Sequence, residues 1–318
     1  MSGLAQAFRL AADSRSPEAV ALLERLAASG DADALYGLGL WCIEGRHLPR
    51  DLVQAHDLIA EAEAKGSMPA ARTLSALLAT GAEWPAALAL LERWRGRDPL
   101  AARQLDLIAA MDGAHIPEGE PVSSSPWIIR YPGFFSPGEI AFLTELAAPR
   151  FKPALVFNQI RRKFVAHPYR DAQAAAFPLV LEWPAIRALN RRIAVASGTE
   201  LEQGEPLQVL RYEPGQSYRE HLDAVPGLPN QRILTMLVAL NDGFDGGETD
   251  FPQAGLKLRG RPGDAILFRN VGADGRPDPA SMHAGLPVRH GTKLIASRWI
   301  RQQPPPAGEA FGQHEIGV

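Results

Sequence analysis

The run LQVLRYEPGQSYREHLD, Leu207 to Asp223, decides the reading of this 318-residue chain. Its last six residues, Tyr218-Arg219-Glu220-His221-Leu222-Asp223, alternate at period two. On a strand end that spacing puts His221 and Asp223 on one face, where both reach a single metal ion. Further on, His283 stands in Ser281-Met282-His283-Ala284-Gly285 at the start of another apparent strand, and Lys293 follows ten residues later. Two imidazoles and one carboxylate take one face of a metal and leave the opposite face open, which is the donor set of a non-haem Fe(II) oxygenase site. Catalytic zinc accepts the same donors. The helical His-Glu-x-x-His pattern common in zinc hydrolases does not occur in the chain. In a chain with eight histidines His-x-Asp alone is weak, and the distant second histidine and the lysine give it weight.

Around these residues lie short β-rich runs, LQVLRYE, RILTMLVALN, DAILFRN and KLIASRWIR, separated by Gly, Pro and Asp turns. SPGEIAFLTELAAP, Ser136 to Pro149, opens a helix with a serine cap and a proline close behind. PAIRALNRRIAVASG, Pro184 to Gly198, reads as a second helix stopped by Gly198. Many short strands with a few helices predict a β-sandwich or barrel with helical support. Pairing of distant strands is what brings His283 to the His221–Asp223 face.

At this point the stretch from about Trp127 to Arg301 resembles the 2-oxoglutarate- and Fe(II)-dependent dioxygenases of the prolyl 4-hydroxylase type. The residues that carry the resemblance are LQVLRYEPGQSYREHLD, RILTMLVALNDGFDGGETDFP, GRPGDAILFRN and DPASMHAGLPVRHGTKLIASRWIR, in that order. The resemblance implies a distorted double-stranded β-helix, or jelly-roll. It implies Fe(II) held by His221, Asp223 and His283, and 2-oxoglutarate bound through Lys293. It further implies O₂ as the oxidant, ascorbate as an accessory reductant, and a protein or peptide substrate with proline as the leading target. Tyr212 and Tyr218 face the co-substrate or metal pocket by the same resemblance, with core aromatics on a strand as the alternative. Thr235 is a candidate donor to the co-substrate, with a plain strand former as the alternative. Two positions depart from many relatives: Ala239 where tyrosine is common, and Leu294 where tryptophan often follows the lysine. Ala239 leaves Lys293 with less help at the far carboxylate.

The N-terminal third differs in kind. Residues 1 to about 110 are rich in Ala and Leu, and two segments align 36 residues apart, AVALLERLAASGDADALYGLG from Ala19 and AHDLIAEAEAKGSMPAARTLS from Ala55. A shortened third copy starts at Ala86. A period in the mid-thirties with Gly30 and Gly66 placed to end helices predicts an α-solenoid. The segment resembles tetratricopeptide-like repeats of the Sel kind, which implies a surface for another protein or for the neighbouring domain. An irregular helical bundle is the alternative. The fold class is therefore expected to be α+β multidomain: helical repeats over 1–111, a linker over 112–126 rich in Gly, Pro and Ser, an oxygenase domain over 127–302, and a disordered tail over 303–318.

Composition bounds the function. Hydrophobic content of 46% and charged content of 22% are those of a globular protein, and the net charge of −3 offers no field for nucleic acid. The single cysteine, Cys42, excludes an internal disulfide and a Cys-rich zinc site. With no signal-like apolar core and no long apolar run, the expectation is a cytoplasmic protein with no membrane partner. Arg161, Arg162 and Lys163 read as a solvated loop, or as a substrate-entry loop on the resemblance. His115, His167 and His290 read as exposed or otherwise outside the metal site, and Glu248 and Thr249 as structural turn residues. Two other functions stay open at this stage: a hydroxylase of free amino acids, and a repeat-based adaptor whose oxygenase domain is inactive.

Overall fold

A computed structural model describes residues 3–81, 83–113, 115–158, 163–166, 171–224 and 227–305, with backbone alone for 155–158 and 163–166. Two compact units result, Met1–Asp112 with Leu179–Arg187, and Gly113–Pro178 with Ala188–Val318. Arg161, Arg162, His167 and residues 306–318 of the expected tail lie outside the described residues, as does the side chain of Lys163. No helix among the described residues is long and apolar enough to cross a membrane.

The first unit is helical. Seven helices follow one another: Gly3–Ala12, Ser16–Ala28, Ala32–Glu44, Leu52–Ala64, Met68–Thr80, Trp84–Trp94 and Pro99–Met111. Short polar side chains start several of them. Asp31 accepts from the Ala34 amide, Asp51 from Val53 and Gln54, Ser67 from Ala70 and Asp98 from Leu100. Each cap satisfies an amide that the first helical turn leaves unpaired. Gly30 and Gly66, at φ 87° and 88°, end the second and fourth helices in the left-handed region. Helices Ser16–Ala28 and Leu52–Ala64 are 36 residues apart, as are Ala32–Glu44 and Met68–Thr80, in the register of the sequence repeat. Small buried residues (Ala34, Ala55, Ala62, Ala70) allow close packing of helix on helix. At Gly39 a Cβ would lie 2.5 Å from the Ile59 side chain, so the third and fourth helices meet there without one.

The second unit is built on β-sheets. An eight-stranded sheet runs in the order Glu120–Ser124, Trp127–Tyr131, Ala265–Arg269, Arg232–Ala239, Lys293–Arg301, Gln208–Tyr212, Gln173–Ala176 and Lys152–Pro153. A four-stranded sheet runs Leu256–Leu258, Thr249–Phe251, His283–Gly285 and Tyr218–His221. The β-rich runs of the sequence supply the four adjacent strands from Ala265–Arg269 to Gln208–Tyr212. Their apolar positions make a core with Leu210, Tyr212, Val288 and Ile295 in one cluster and Ile128, Phe251 and Phe268 in another. Helix Pro137–Ala147 starts with Ser136 and Glu139 in a reciprocal capping box, and Glu139 also pairs with Arg192 at 2.6 Å. Helix Pro184–Ser197 ends before Gly198 at φ 66°.

Two boundaries differ from the expectation. Glu120–Ser124, inside the expected linker, is the edge strand of the large sheet, paired antiparallel with Trp127–Tyr131. An edge strand needs only backbone hydrogen bonds on one side, so its Pro- and Ser-rich composition does not prevent pairing. At the other end, Gln303 is tied to Asn230 by two hydrogen bonds, 3.0 Å through its amide and 2.9 Å through its carbonyl, so the ordered chain runs into the expected tail.

Candidate active site

Strand register assembles the site. His221 and His283 are direct cross-strand partners in the four-stranded sheet, and Tyr212 and Lys293 are direct partners in the eight-stranded one. Asp223 lies two residues past the end of its strand. A cleft runs between the two sheets and is lined by residues of both.

His221, Asp223 and His283 each offer a ligand atom, and these atoms lie within 4.8 Å of one another. The Nε2 of His221 is 3.5 Å from Asp223 Oδ1, and that of His283 is 3.7 Å from Asp223 Oδ2. The tautomers follow from the backbone. His221 Nδ1 sits 2.8 Å from the Arg219 carbonyl and His283 Nδ1 sits 3.0 Å from the Ser281 carbonyl. A carbonyl only accepts, so both Nδ1 atoms carry a proton, and Nε2 is the ring nitrogen that each histidine turns toward Asp223. That is the second-partner arrangement of metal-bound histidines, and the three residues fit a metal ion. Tyr218 stacks on the His221 ring at 3.5 Å between centroids, while Phe251 and Phe268 flank His283 at 5.5 and 4.8 Å. These aromatics fix both rings.

The electrostatics agree. Burial pushes the Asp223 carboxyl up, but His283, His221 and the Thr235 hydroxyl outweigh it and hold it well below the usual carboxylate range. Burial pushes His283 down to about 4 against the pull of Asp223. At neutral pH the site therefore presents one carboxylate and a neutral His283, the forms that bind metal.

Lys293 is buried on the cleft wall. Its Nζ donates to the Gly247 carbonyl at 2.6 Å and lies 5.6 Å from the centre of the Tyr212 ring. Gly247, at φ 68°, brings that carbonyl in because a Cβ there would meet the Lys293 chain at 3.2 Å. Burial lowers the lysine to about 8, with Glu248 opposing and Arg259 adding to the shift. Tyr212 and Tyr218 both line the cleft. Thr235 is outside that lining, and its hydroxyl is 2.7 Å from Asp223 Oδ2. Strand alternation told which face Thr235 occupies but not which neighbour it meets. Ala239 is also absent from the cleft lining, and its Cβ lies 3.2 Å from where Gly260 would carry one.

Other residues are placed plainly. His115 and His290 are exposed, and His290 sits in the strand Val288–Gly291. Glu248 accepts the Leu286 amide through its carbonyl, the turn role expected of it. Thr249 lines the cleft, as do Leu237 and Trp299, which the sequence reading did not single out. Period two along Lys293, Ile295, Ser297 and Trp299 was the available signal for the last. Arg232 lies over the Trp299 ring at 3.7 Å and is held by buried Glu205 at 2.6 and 2.8 Å.

Comparison with known proteins bears on the same residues. The 2OG-Fe(II) oxygenase superfamily matches residues 207–301, a span that contains all three metal-site residues and Lys293. Prolyl 4-hydroxylase 1 of Arabidopsis thaliana is 38% identical over 203 residues, covering 58% of this chain and 72% of that protein. Probable prolyl 4-hydroxylase 10 of the same plant is 32% identical over 206 residues, covering 57% of this chain and 71% of the relative. Among solved structures, the 2OG complex of the viral collagen prolyl hydroxylase from Paramecium Bursaria Chlorella virus-1 is 28% identical, covers 55% of this chain and 95% of its own, and has a TM-score of 0.44. With its His221–Asp223–His283 triad in place, the chain belongs to the prolyl 4-hydroxylase-like family of Fe(II)- and 2-oxoglutarate-dependent dioxygenases.

Proposed function

We propose that the chain hydroxylates prolyl residues within a protein or peptide, and that the helical unit is a Sel-like, tetratricopeptide-like solenoid that holds a protein partner. The convergence of His221, Asp223 and His283 on one point beside a cleft carries the reading. Iron bound there supplies O₂ activation coupled to decarboxylation of 2-oxoglutarate to succinate and CO₂. The protein's own work is to place the reactants. Lys293 holds the far carboxylate of the co-substrate, since a buried carboxylate without a cation is costly, and Tyr212 closes the pocket beside it. Tyr218 orients His221 by stacking. Relatives whose names are prolyl 4-hydroxylases support proline as the target.

The cleft suggests how a peptide meets this site. Lys293 and Trp299 lie on one face of one strand, six residues and so roughly 20 Å apart. Lys293 marks the co-substrate end, which leaves Trp299, with Arg232 above it, for the substrate. The two sheets are read as the halves of a jelly-roll. The 36-residue helix offset and the left-handed glycines support the solenoid reading of the first unit. The single buried cysteine, Cys42, supports work in a reducing compartment such as the cytoplasm.

The test measures succinate release and oxygen incorporation with proline-containing peptides and, in parallel, with free proline. Turnover of peptides above free proline is expected. Turnover of free proline alone would replace the peptide reading with a small-molecule one.

A further inference from the structure

The interior beside the metal site holds a buried polar chain. Asn270 Nδ2 lies 2.9 Å from Thr235 Oγ1, and Thr235 Oγ1 lies 2.7 Å from Asp223 Oδ2. All three residues are buried, Asn270 and Thr235 at 0% and 1% exposure. The direction of the chain is fixed by elementary bookkeeping of protons. An ionised Asp223 only accepts, so the single Thr235 proton points to it. Thr235 then has only lone pairs left, so the group facing it from Asn270 must be the NH₂ end of the amide. The opposite amide orientation would set an acceptor against an acceptor. Asn270 itself is anchored by its backbone, its amide donating to Ile233 at 2.9 Å and its carbonyl accepting from Asp278 at 2.9 Å. Both ends of the chain are therefore held, one by the main chain and one by the carboxylate.

We propose that Asn270 and Thr235 are positioning residues that lock the rotation of the Asp223 carboxylate, occupy Oδ2 and reserve Oδ1 for the metal. The inference rests on the reading of His221, Asp223 and His283 as the metal site. Its consequence is stoichiometric. A carboxylate that used both oxygens would take a fourth coordination position. One held to a single oxygen leaves three, the number needed for a chelating 2-oxo acid and O₂ together. A carboxylate oriented by such an outer partner also binds metal more tightly, because the rotation is not lost on binding.

The experiment titrates Mn(II), a redox-stable probe, into the metal-free full chain and into three variants: Thr235→Val, Asn270→Leu and Thr235→Ser. Thermal melting of each metal-free variant is recorded alongside. Thr235→Val keeps the shape and removes the hydroxyl donor, so Mn(II) affinity is expected to fall by about tenfold or more. Asn270→Leu leaves the hydroxyl but frees it to rotate, and is expected to fall between Thr235→Val and wild type. Thr235→Ser restores the donor and is expected to bind within about twofold of wild type. A purely structural role would lower the melting temperatures and leave Mn(II) affinity of the folded variants unchanged. That result, or a Thr235→Ser variant as weak as Thr235→Val, would overturn the proposal. If Thr235→Val fails to fold, the Asn270→Leu and Thr235→Ser pair carries the same comparison. A folded wild type that binds no Mn(II) would overturn the metal site itself, and the positioning chain with it.

Discussion

Raising the pH from 7 to 9 should weaken 2-oxoglutarate binding through Lys293. The lysine is buried against the Gly247 carbonyl, and burial lowers it to about 8 despite Glu248 nearby. With that value the ammonium fraction is roughly 0.9 at pH 7 and roughly 0.09 at pH 9. If only the ammonium form holds the far carboxylate, affinity falls about tenfold across the interval, worth about 1.4 kcal/mol. The co-substrate carboxylates do not titrate there. The assay is calorimetric titration of the Mn(II)-loaded protein with 2-oxoglutarate from pH 6.5 to 9.5, in two buffers of different ionisation heat. Proton uptake on binding should grow above pH 8, because the bound carboxylate raises the lysine again. Lys293→Ala should bind weakly and without this pH dependence. The sign of the stability effect is also set. The folded lysine is lowered from 10.5, so between about 8 and 10.5 the unfolded chain binds more protons, and stability of the ligand-free protein rises with pH through that window. Affinity that stays flat from pH 7 to 9 in the wild type would refute the assignment of Lys293 as the anchor.

Two further outcomes follow from the geometry. Trp299→Ala should raise the peptide KM by about tenfold or more, the scale of losing an aromatic contact, while 2-oxoglutarate affinity stays within about twofold; steady-state kinetics with each substrate varied separates the two. Asp98→Ala should destabilise the helical unit by about 2 kcal/mol, since Asp98 both caps helix Pro99–Met111 and pairs with Arg72 at 2.7 and 2.8 Å, and should leave Mn(II) binding unchanged. Chemical denaturation and metal titration of the same variant test both halves.

Much of the site was legible because its residues follow strand period. His221 and Asp223, two apart at a strand end, and Lys293, at the start of KLIASRWIR, stand out without any tertiary knowledge. The four strands at the centre of the large sheet were visible as β-branched runs, and Gly30 and Gly66 marked helix ends correctly. What was hidden depends on partners distant in sequence. Thr235 reads as a strand former whether it meets a co-substrate or a carboxylate, and only the fold brings it to Asp223. Asn270 follows the strand Ala265–Arg269 in a stretch that looks like a turn, so nothing local marks it as buried or as a donor to Thr235. Glu120–Ser124 has the composition of a linker, and its pairing comes from backbone groups that sequence does not distinguish.

The central claim is that His221, Asp223 and His283 hold iron that 2-oxoglutarate chelates beside Lys293. The most direct measurement is the anaerobic visible spectrum of metal-free protein titrated with Fe(II) and 2-oxoglutarate, beside the His283→Ala variant. The account predicts a charge-transfer band in the wild type that is absent from the variant. Folded wild-type protein that takes up no iron, or takes it up and gives no band with 2-oxoglutarate, would contradict it.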